Sequence, residues 1–325
     1  MVNMVDYFDM AVIGGVLGFA VGDALGVPVE FQSRAQLRKT PVTGMRSGGT
    51  HGQPAGTWSD DTSMTLCTID SLTERSVDYT DQMRRFSLWL NRGAYTPYGE
   101  VFDVGGTTRR TVSTFDRGTA PLDCGEKDER SCGNGSLMRI LPTVLYLVGR
   151  YGYTTLDDRT AEIIHNTSAC THAHPRCQMA CGIYASVVFS LCAGRRTKLD
   201  VRAGIASALS YYREKPAFSG VFHDFENLKS IGNWEENQIS GSGYVLHTLQ
   251  AALWCLLNTN CYEECVCKAV NLGEDTDTTA AVAGGLAGIV YGKAGIPQEW
   301  LDTLASREQI ETQCARFYLA CIDKE

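Results

Sequence analysis

The sequence lacks the features that mark several specialised classes of protein. Its 325 residues contain no low-complexity tract, no repeat array and no Pro- or Ser-rich linker, so we expect one domain spanning residues 1–325. There is no run of Lys and Arg, and the net charge is −8. This charge disfavours nonspecific binding to nucleic acid or to an anionic membrane. Alternating β-branched stretches are scarce, which argues against a β-sheet protein.

One stretch, residues 10–29, is nearly as apolar as a membrane span, but Asp23 interrupts it and it contains five glycines. Asp6 and Asp9 stand where a signal peptide would carry basic residues. The stretch therefore predicts neither a membrane span nor a leader. We expect a protein that stays in the cytoplasm and has no membrane partner.

The 13 cysteines are scattered from Cys67 to Cys321. Secreted disulfide scaffolds are usually short and dense in cysteine, so this distribution favours reduced, buried thiols. The closest group, Cys261, Cys265 and Cys267, has no second pair of ligands at zinc-knuckle spacing. We expect these three to be helix thiols and not zinc ligands.

Apolar residues recur with helical spacing along almost the whole chain, which predicts an all-α protein with functional loops between its helices. The predicted helices cover residues 11–25, 62–72, 82–91, 137–151, 176–193, 201–212, 244–257, 278–292 and 307–322.

Two of these helices carry glycine at every fourth position. The stripes are Gly14, Gly18, Gly22 and Gly26, and then Gly284, Gly288 and Gly292. Glycine costs about 1 kcal/mol relative to alanine inside a helix, so each stripe needs a compensating interaction. We expect a neighbouring helix to approach closely along each glycine face.

Two acidic segments precede predicted helices: WSDDT at residues 58–62 and GEDTDTT at residues 273–279. In the first, Ser59 or Asp60 is placed to cap the helix. One acceptor is enough for a cap, yet the segments carry two and three carboxylates. Neither segment has a Lys or Arg nearby in sequence. A solvated cap explains either segment alone, but not the two together.

Carboxylates crowded in an apolar setting must protonate, pair or bind a cation, so the segments predict a metal site if they meet in space. The ligands on offer are Asp, Ser and Thr oxygens, which suit Mg²⁺, Mn²⁺ or Ca²⁺. An EF-hand is excluded because Leu286 stands where the loop would need its twelfth residue to be Glu. Four aspartates suit a two-metal centre better than a single ion.

Further polar residues stand in loops. Glu30 follows an apolar stretch and is either an acid with a raised pKa or a surface residue. Asp103 precedes a glycine pair and a helix start, where it could cap a helix. The glycine-rich segment 133–139 could cradle phosphate with its backbone N–H groups. His172, in THAHP, could contact phosphate or a metal, although a structural role is the more frequent one.

Taken together, these segments resemble the ADP-ribosylglycohydrolase family, of the dinitrogenase-reductase-activating glycohydrolase type. The resemblance runs from residue 14 to residue 292. Its motifs, in the family's order, are GDALGVPVEF, WSDDT, FDVGGTTR, GNGSLMR with the later THAHP, and SGYVLHTL followed by GEDTDTTAAVAGGLAGIVYG. The resemblance implies a single compact domain of orthogonal helices. It also implies two Mg²⁺ or Mn²⁺ ions between the two acidic segments.

The resemblance assigns a role to residues in each motif. It implies metal ligation by Ser59, Asp60, Asp61, Asp275, Asp277 and Thr278. It implies substrate contacts along the diphosphate and around it from Gly105, Asn134, Gly135, Ser136, Met138 and His172, with Tyr244 stacked on adenine. The implied catalytic carboxylates are Asp103 and Glu30, together with Asp61 among the metal ligands.

The implied activity is hydrolysis of the bond between ribose C1″ and a modified protein side chain, which releases ADP-ribose. Asp103 matches the acid of arginine-specific members and Glu30 the loop acid of serine-specific ones; the intact FDVGGTTR segment favours ADP-ribosyl-arginine. A cognate ADP-ribosyltransferase or toxin is a further possible partner. Three alternatives stay open: an immunity or binding protein that blocks such a toxin, a hydrolase of ADP-ribosyl-serine or another ADP-ribose conjugate, and a phosphohydrolase that cleaves the diphosphate.

Overall fold

The structure is a computed structural model and describes residues 4–323. Within this range the chain forms fifteen α-helices, several short 3-10 turns and no β-strand, which confirms the predicted all-α fold. The helices are α1 Met4–Gly26, α2 Arg34–Leu37, α3 Asp60–Arg75, α4 Tyr79–Arg92, α5 Gly106–Asp116, α6 Leu141–Tyr151, α7 Asp158–Ala169, α8 Pro175–Ala193, α9 Lys198–Arg213, α10 Phe222–Phe225, α11 Val245–Leu257, α12 Tyr262–Val270, α13 Thr276–Tyr291, α14 Gln298–Thr303 and α15 Arg307–Ile322.

Each of the nine predicted helices is present, but one begins late. Residues 135–139 form turns and α6 begins at Leu141, with Pro142 in its first turn. Proline favours that position because its missing N–H would have no partner in the first turn of a helix. Six helices were not predicted: α5 and α7 are largely polar, α12 is only nine residues long, and α2, α10 and α14 are shorter still.

The two glycine-striped helices, α1 and α13, pack against each other at the centre of the fold. A Cβ added at Gly14 would lie 2.4 Å from the carbonyl oxygen of Gly288, and one added at Gly18 would lie 2.5 Å from that of Gly284. The predicted close approach is confirmed, and the neighbour of each stripe is the other stripe. At the end of this seam, a Cβ at Gly26 would lie 2.3 Å from the Cα of Asp277. The seam therefore brings the C-terminus of α1 to the N-terminus of α13.

The other helices surround this pair. Helices α11 and α12 pack on α13, α15 packs on α1, α3 and α6, and α8 packs on α9 and α7. The buried side chains form one continuous hydrophobic cluster that extends from α1 to α15.

Two segments, Phe8–Val29 and Pro175–Ala193, are long and apolar enough to cross a membrane by length and composition. In the fold, 89% and 72% of them are buried among other helices. The segment at residues 10–29 is thus a core helix here. The cytoplasmic location stays a prediction.

All 13 cysteines are free thiols, and ten of them are buried, which confirms the prediction of reduced core thiols. Cys265 is buried inside α12, whereas Cys267 is half-buried. The half-buried Cys261 caps α12, where its sulfur accepts the N–H of Glu264 over 3.5 Å.

Candidate active site

Hydrogen bonds accepted by two side chains, Ser59 in the segment itself and Asp23 in α1, fix the first acidic segment at the N-terminus of α3. Ser59 is the predicted N-cap, and its hydroxyl accepts the N–H of Asp61 over 3.2 Å. From α1, the fully buried Asp23 accepts the N–H groups of Ser59 and Thr62, at 2.9 and 3.0 Å, and the Thr62 hydroxyl at 2.6 Å. Asp23 therefore ties α1 to the start of α3.

The two acidic segments meet in space, as the metal hypothesis required. Asp23, Asp61 and Asp277 each place a carboxylate oxygen within 4.8 Å of the other two. In the described part of the chain, both oxygens of Asp61 and both of Asp277 are buried without a hydrogen-bond partner. An unpaired buried carboxylate is costly, so these four oxygens call for protons or a cation.

Above these carboxylates lies a cavity of about 230 Å³. Its acidic wall and the facing loops bring together most of the residues singled out in the sequence. The cavity is lined by Glu30, Asp60, Asp103, Gly105, Gly106, Thr107, Thr108, Gly133, Asn134, Gly135, Met138, His172, Gly243, Asp275 and Thr278. On the acidic wall, Asp275 accepts a hydrogen bond of 2.8 Å from the Asn134 side chain.

Burial raises the pKa of every carboxyl group in this cluster. The pKa values of Asp60, Asp61 and Asp277 lie well above their usual range because of desolvation and of the neighbouring carboxylates. Desolvation and the charges of neighbouring acids raise the pKa of Glu30 to about 9. Burial raises the pKa of Asp23 only to about 6, because its hydrogen bonds favour the charged form. Such a group of acids stays ionised only when a cation neutralises it.

The donor set fits a hard divalent cation. The side chains beside the unpaired oxygens offer carboxylates and the hydroxyls of Ser59 and Thr278, which are the ligands that Mg²⁺, Mn²⁺ and Ca²⁺ prefer. Among the described residues, the group formed by Asp23, Asp61 and Asp277 includes no Cys or His, the ligands that would favour zinc or copper. The residues present therefore fit the kind of metal that the sequence predicted.

Glu30, Asp103 and His51 lie together, with one side-chain oxygen or nitrogen of each within 4.8 Å of the other two. The Nε2 atom of His51 contacts the Glu30 carboxylate and lies 3.9 Å from Oδ1 of Asp103. Sequence reasoning missed His51, which belongs to none of the motifs. The sequence analysis gave no role to Asp23, although this carboxylate interrupts an apolar stretch and belongs to the motif GDALGVPVEF.

The loops that carry these acids are held in strained backbone conformations. Phe31, Asp103 and Glu274 have positive φ angles of 66°, 54° and 66°. Two reciprocal backbone hydrogen bonds of 2.7 Å hold two of these residues: Phe31 donates to Glu274, and Glu274 donates to Gln32. Positive φ in residues other than glycine is concentrated at functional sites, where the surrounding structure holds it in place.

The remaining predicted substrate contacts divide into two groups. Gly105, Asn134, Gly135, Met138 and His172 line the cavity. The fully buried Ser136 does not, because its hydroxyl accepts a hydrogen bond of 2.8 Å from Ser168.

The ring of Tyr244 is half-buried outside the cavity wall, 5.0 Å from the ring of His247 and beneath the guanidinium of Arg176. Its neighbour Gly243 does line the cavity. The motif therefore located Gly243 and Tyr244 near the site, but it could not give the direction of the Tyr244 side chain.

His172 is buried, and desolvation lowers its pKa to about 3, so the ring is neutral. Its Nδ1 lies 2.8 Å from the hydroxyl of Thr171, which itself accepts a hydrogen bond from Arg139. With Arg139 as its donor, the Thr171 hydroxyl has its own proton free for Nδ1, the arrangement that leaves the ring proton on Nε2. A Cβ at Gly135 would lie 2.8 Å from His172, so only glycine leaves this face of the ring open.

The fold and the candidate site define a class of protein: an all-helical one with a cluster of buried carboxylates beneath a polar cavity. Comparison with known proteins identifies the family. The family model described as ADP-ribosylglycohydrolase matches residues 5–325. The chain belongs to the ADP-ribosylglycohydrolase family and is an ADP-ribosyl glycohydrolase enzyme.

Two curated relatives illustrate this membership. ADP-ribosylarginine hydrolase Tri1 of Pseudomonas putida (strain GB-1) is 31% identical over 92% of this chain and 75% of its own. ADP-ribosyl-[dinitrogen reductase] glycohydrolase of Rhodospirillum rubrum is 32% identical over 92% of both chains. Among solved structures, an ADP-ribosylglycohydrolase-related protein complex matches with a TM-score of 0.77 and 30% identity, over 97% of this chain and 99% of that one.

Proposed function

We propose that this protein removes ADP-ribose from modified arginine side chains, in a reaction that depends on divalent metal ions. The bond cleaved joins ribose C1″ to the guanidino nitrogen. The observation that carries the proposal is the set of unpaired carboxylate oxygens of Asp61 and Asp277 beneath a cavity walled by Glu30 and Asp103. Similarity to the arginine hydrolase of Pseudomonas putida supports the choice of acceptor.

The residues that would hold two Mg²⁺ or Mn²⁺ ions are Ser59, Asp60, Asp61, Asp275, Asp277 and Thr278. When bound, such ions supply positive charge that fixes the ribose hydroxyls and makes water more acidic. Asp23 positions this set through its bonds to the start of α3. Asn134 positions it through its bond to Asp275.

Glu30 and Asp103 supply the acid–base chemistry. Besides burial, the charge of Asp103 and its hydrogen bond with Glu30 raise the pKa of Glu30, whereas the same hydrogen bond lowers the pKa of Asp103. Glu30 can therefore keep a proton while Asp103 is ionised. The protonated carboxyl can donate to the departing guanidino group, and the ionised one can take a proton from the attacking water. Their negative charge also favours the oxocarbenium-like transition state of glycoside cleavage.

The opposite side of the cavity suits the diphosphate. Because the His172 ring is neutral, its Nε2–H can donate a hydrogen bond to phosphate without forming an ion pair with the carboxylates of the site. Gly133 and Gly135 leave the backbone accessible there, which lets phosphate oxygens approach closely. Tyr244, at the edge of this loop, is the residue that we propose for contact with adenine.

The activity can be tested on arginine- and serine-ADP-ribosylated proteins with Mg²⁺, Mn²⁺ or EDTA, with products identified by mass. We expect free ADP-ribose from the arginine substrate, and none in EDTA. Release from the serine substrate alone would overturn the assignment to arginine. AMP and a ribose phosphate as products would show cleavage of the diphosphate instead.

The partner that we propose is an ADP-ribosylated protein, together with the transferase or toxin that modified it. A cell-protection assay separates reversal of the modification from blocking of that transferase. We expect Asp60→Ala to lose protection. Full protection by this variant would favour a blocking protein over a hydrolase.

A further inference from the structure

A second polar cluster lies outside the active site, where the chain before Gly133 meets the N-terminus of α8. It contains two thiols and a guanidinium. Arg176 donates to the sulfur of Cys132 over 3.7 Å. The sulfur of Cys177 lies 3.9 Å from the carbonyl oxygen of Ser131 and 3.7 Å from that of Gly133, the two residues that flank Cys132. The two thiols are therefore neighbours in hydrogen-bond contact, although they are 45 positions apart in the sequence.

The cluster stabilises a thiolate on one sulfur. The hydrogen bond from the Cys177 thiol and the guanidinium of Arg176 lower the pKa of the Cys132 thiol to about 7, against the effect of burial. The same hydrogen bond raises the pKa of Cys177, which keeps its proton. Arg176 is itself held in place by Glu129 at 2.6 Å and by Asp224 at 2.7 Å. A stabilised thiolate beside a protonated thiol is the arrangement of a reactive cysteine pair.

The same cluster is a poor metal site, although Glu129, Cys132 and His174 lie close together. Nδ1 of His174 accepts the N–H of Arg176 over 3.1 Å, so the neutral ring carries its proton on Nε2. That nitrogen lies 3.2 Å from Glu129, whose carboxylate accepts the hydrogen bond. A metal ion would have to displace this proton and sit beside the guanidinium. Oxidation of the thiols has neither obstacle.

We propose that Cys132 and Cys177 form an oxidisable pair, a modification site for peroxides, whose disulfide form has an altered active-site loop. The Cys132 thiolate attacks one peroxide oxygen, the O–O bond breaks, and hydroxide leaves. The Cys177 sulfur then attacks the resulting sulfenic acid, the S–O bond breaks, and water is released as Cys177 gives up its proton. Two thiols are oxidised and one peroxide is reduced to two waters.

The pair is connected to the active site through three successive residues. The carbonyl of Cys132 accepts the N–H of Val245 over 3.0 Å, and the N–H of Asn134 donates to Gly243 over 3.1 Å. The side chain of Asn134 bonds to Asp275. Sulfurs in hydrogen-bond contact must approach to about 2.05 Å in a disulfide, so Cys132 must move and pull this loop with it. We expect a loss of hydrolase activity of at least about tenfold.

Mass spectrometry identifies the bond directly. Tryptic cleavage after Arg130, Arg139, Arg176 and Arg195 gives the peptides 131–139, with Cys132 alone, and 177–195, with Cys177, Cys181 and Cys192. The protein is treated with hydrogen peroxide, its remaining thiols are alkylated, and it is digested. We expect a disulfide-linked pair of these peptides, removed by dithiothreitol together with the loss of activity.

Single substitutions assign the sulfurs. Cys177→Ala should abolish the linked pair and the reversible loss of activity, while untreated activity is unchanged. Cys192→Ala, a matched control on the same peptide, should behave as wild type. Cys132→Ser provides a second variant that removes the bond, in case Cys177→Ala unfolds.

Two results would overturn the proposal: peroxide-treated protein without the linked pair, or a linked pair in protein whose activity is unchanged. The effect on activity rests on the proposed function, whereas the bond itself does not. Untreated protein that is inactive on ADP-ribosyl-arginine but forms the linked pair would contradict only the proposed function. In that case, the thermal stability gained on adding Mn²⁺ reports whether the disulfide disturbs the site.

Discussion

The two ends of α3 handle buried charge in opposite ways. Near its C-terminus, Asp70 and Glu74 face the buried Arg85 of α4, whose guanidinium also bonds to Asp81 at 2.6 Å and to the hydroxyl of Tyr95 at 2.7 Å. Burial alone would raise the pKa of Asp81, but the hydrogen bonds from Arg85 and Arg84 lower it.

At the N-terminus of the same helix, no guanidinium among the described residues plays this part. Asp60 and Asp61 face further carboxylates, and burial raises their pKa values. One end is a completed ion-pair network that stabilises the fold. The other lacks a positive partner within the described chain, so protons or a bound cation must balance its charge. Buried carboxylates that have a guanidinium partner thus differ from the unpaired ones that we propose as the functional site, and this difference is visible without any comparison to related proteins.

The largest effect should come from neutralising an unpaired acid. We expect Asp277→Asn to lower kcat/KM on ADP-ribosyl-arginine by about 10³-fold or more, equivalent to about 4 kcal/mol. The amide keeps the shape but removes a charge that neighbouring carboxylates repel. The metal-free variant should therefore melt above metal-free wild type. Unchanged turnover, measured by ADP-ribose release, would show that the unpaired acid is not needed.

The matched substitution, in the ion-pair network at the other end of α3, should lower stability and leave activity unchanged. Asp81→Asn leaves Arg85 with a weaker partner in a buried network, so we expect a loss of about 3 kcal/mol in the free energy of unfolding. Activity at a temperature where the variant is folded should match wild type. Urea unfolding and steady-state kinetics measure the two. If Asp81→Asn had normal stability and low activity, the proposed difference between the two ends of α3 would be wrong.

The glycine seam joins the cluster to the rest of the fold. A Cβ at Gly22 would lie 2.2 Å from the carbonyl oxygen of Ala280, so Gly22→Ala must move α1 away from α13. We expect a loss of about 2 kcal/mol in the free energy of unfolding, and weaker metal binding. At Gly15 the nearest atom is Cγ1 of the Ile289 side chain at 3.1 Å, which has to shift by only a few tenths of an ångström, so Gly15→Ala should cost less. Equal losses in the two variants would contradict the role of the seam.

The smallest effect should be the pH dependence of the metal-free protein. The raised pKa values of Glu30, about 9, and Asp23, about 6, mean that the folded state holds protons that the unfolded state releases. Their contribution to stability is complete below the unfolded pKa values and is lost as the pH rises through the folded ones. In EDTA, we expect the Tm to fall by roughly 3–5 °C between pH 5 and pH 8.

Mg²⁺ should reverse that fall most strongly at pH 8, because the ion competes with protons for the carboxylates. Calorimetry at both pH values, with and without Mg²⁺, measures this difference. A metal-free Tm that rises with pH would show that the acids of the cluster are ionised without a cation.

The sequence was sufficient for the features that local patterns encode. Helical periodicity found the long apolar helices, and the acids of residues 58–62 and 273–279 stood out because each segment carries more charge than a cap needs. The glycine stripes predicted a close contact between helices, but their periodicity did not show that the two stripes pack against each other.

What the sequence missed depends on distant contacts. His51 reaches Glu30 only because the loop after α2 folds back over the end of α1, and nothing local marks it. Asp23 acts on backbone groups 36 and 39 positions away. Ser136 stands within a motif, yet its hydroxyl points to Ser168, since a motif defines a position in the chain and not the direction of a side chain.

The measurement that tests the account most directly is a titration of metal-free protein with Mn²⁺, followed by the EPR signal of the free ion. We expect wild type and Asp81→Asn to bind two ions per chain, and Asp277→Asn to bind fewer and more weakly. Wild type that binds no Mn²⁺ at millimolar concentration, or Asp277→Asn that binds as wild type does, would contradict the claim that the unpaired carboxylates form a metal site.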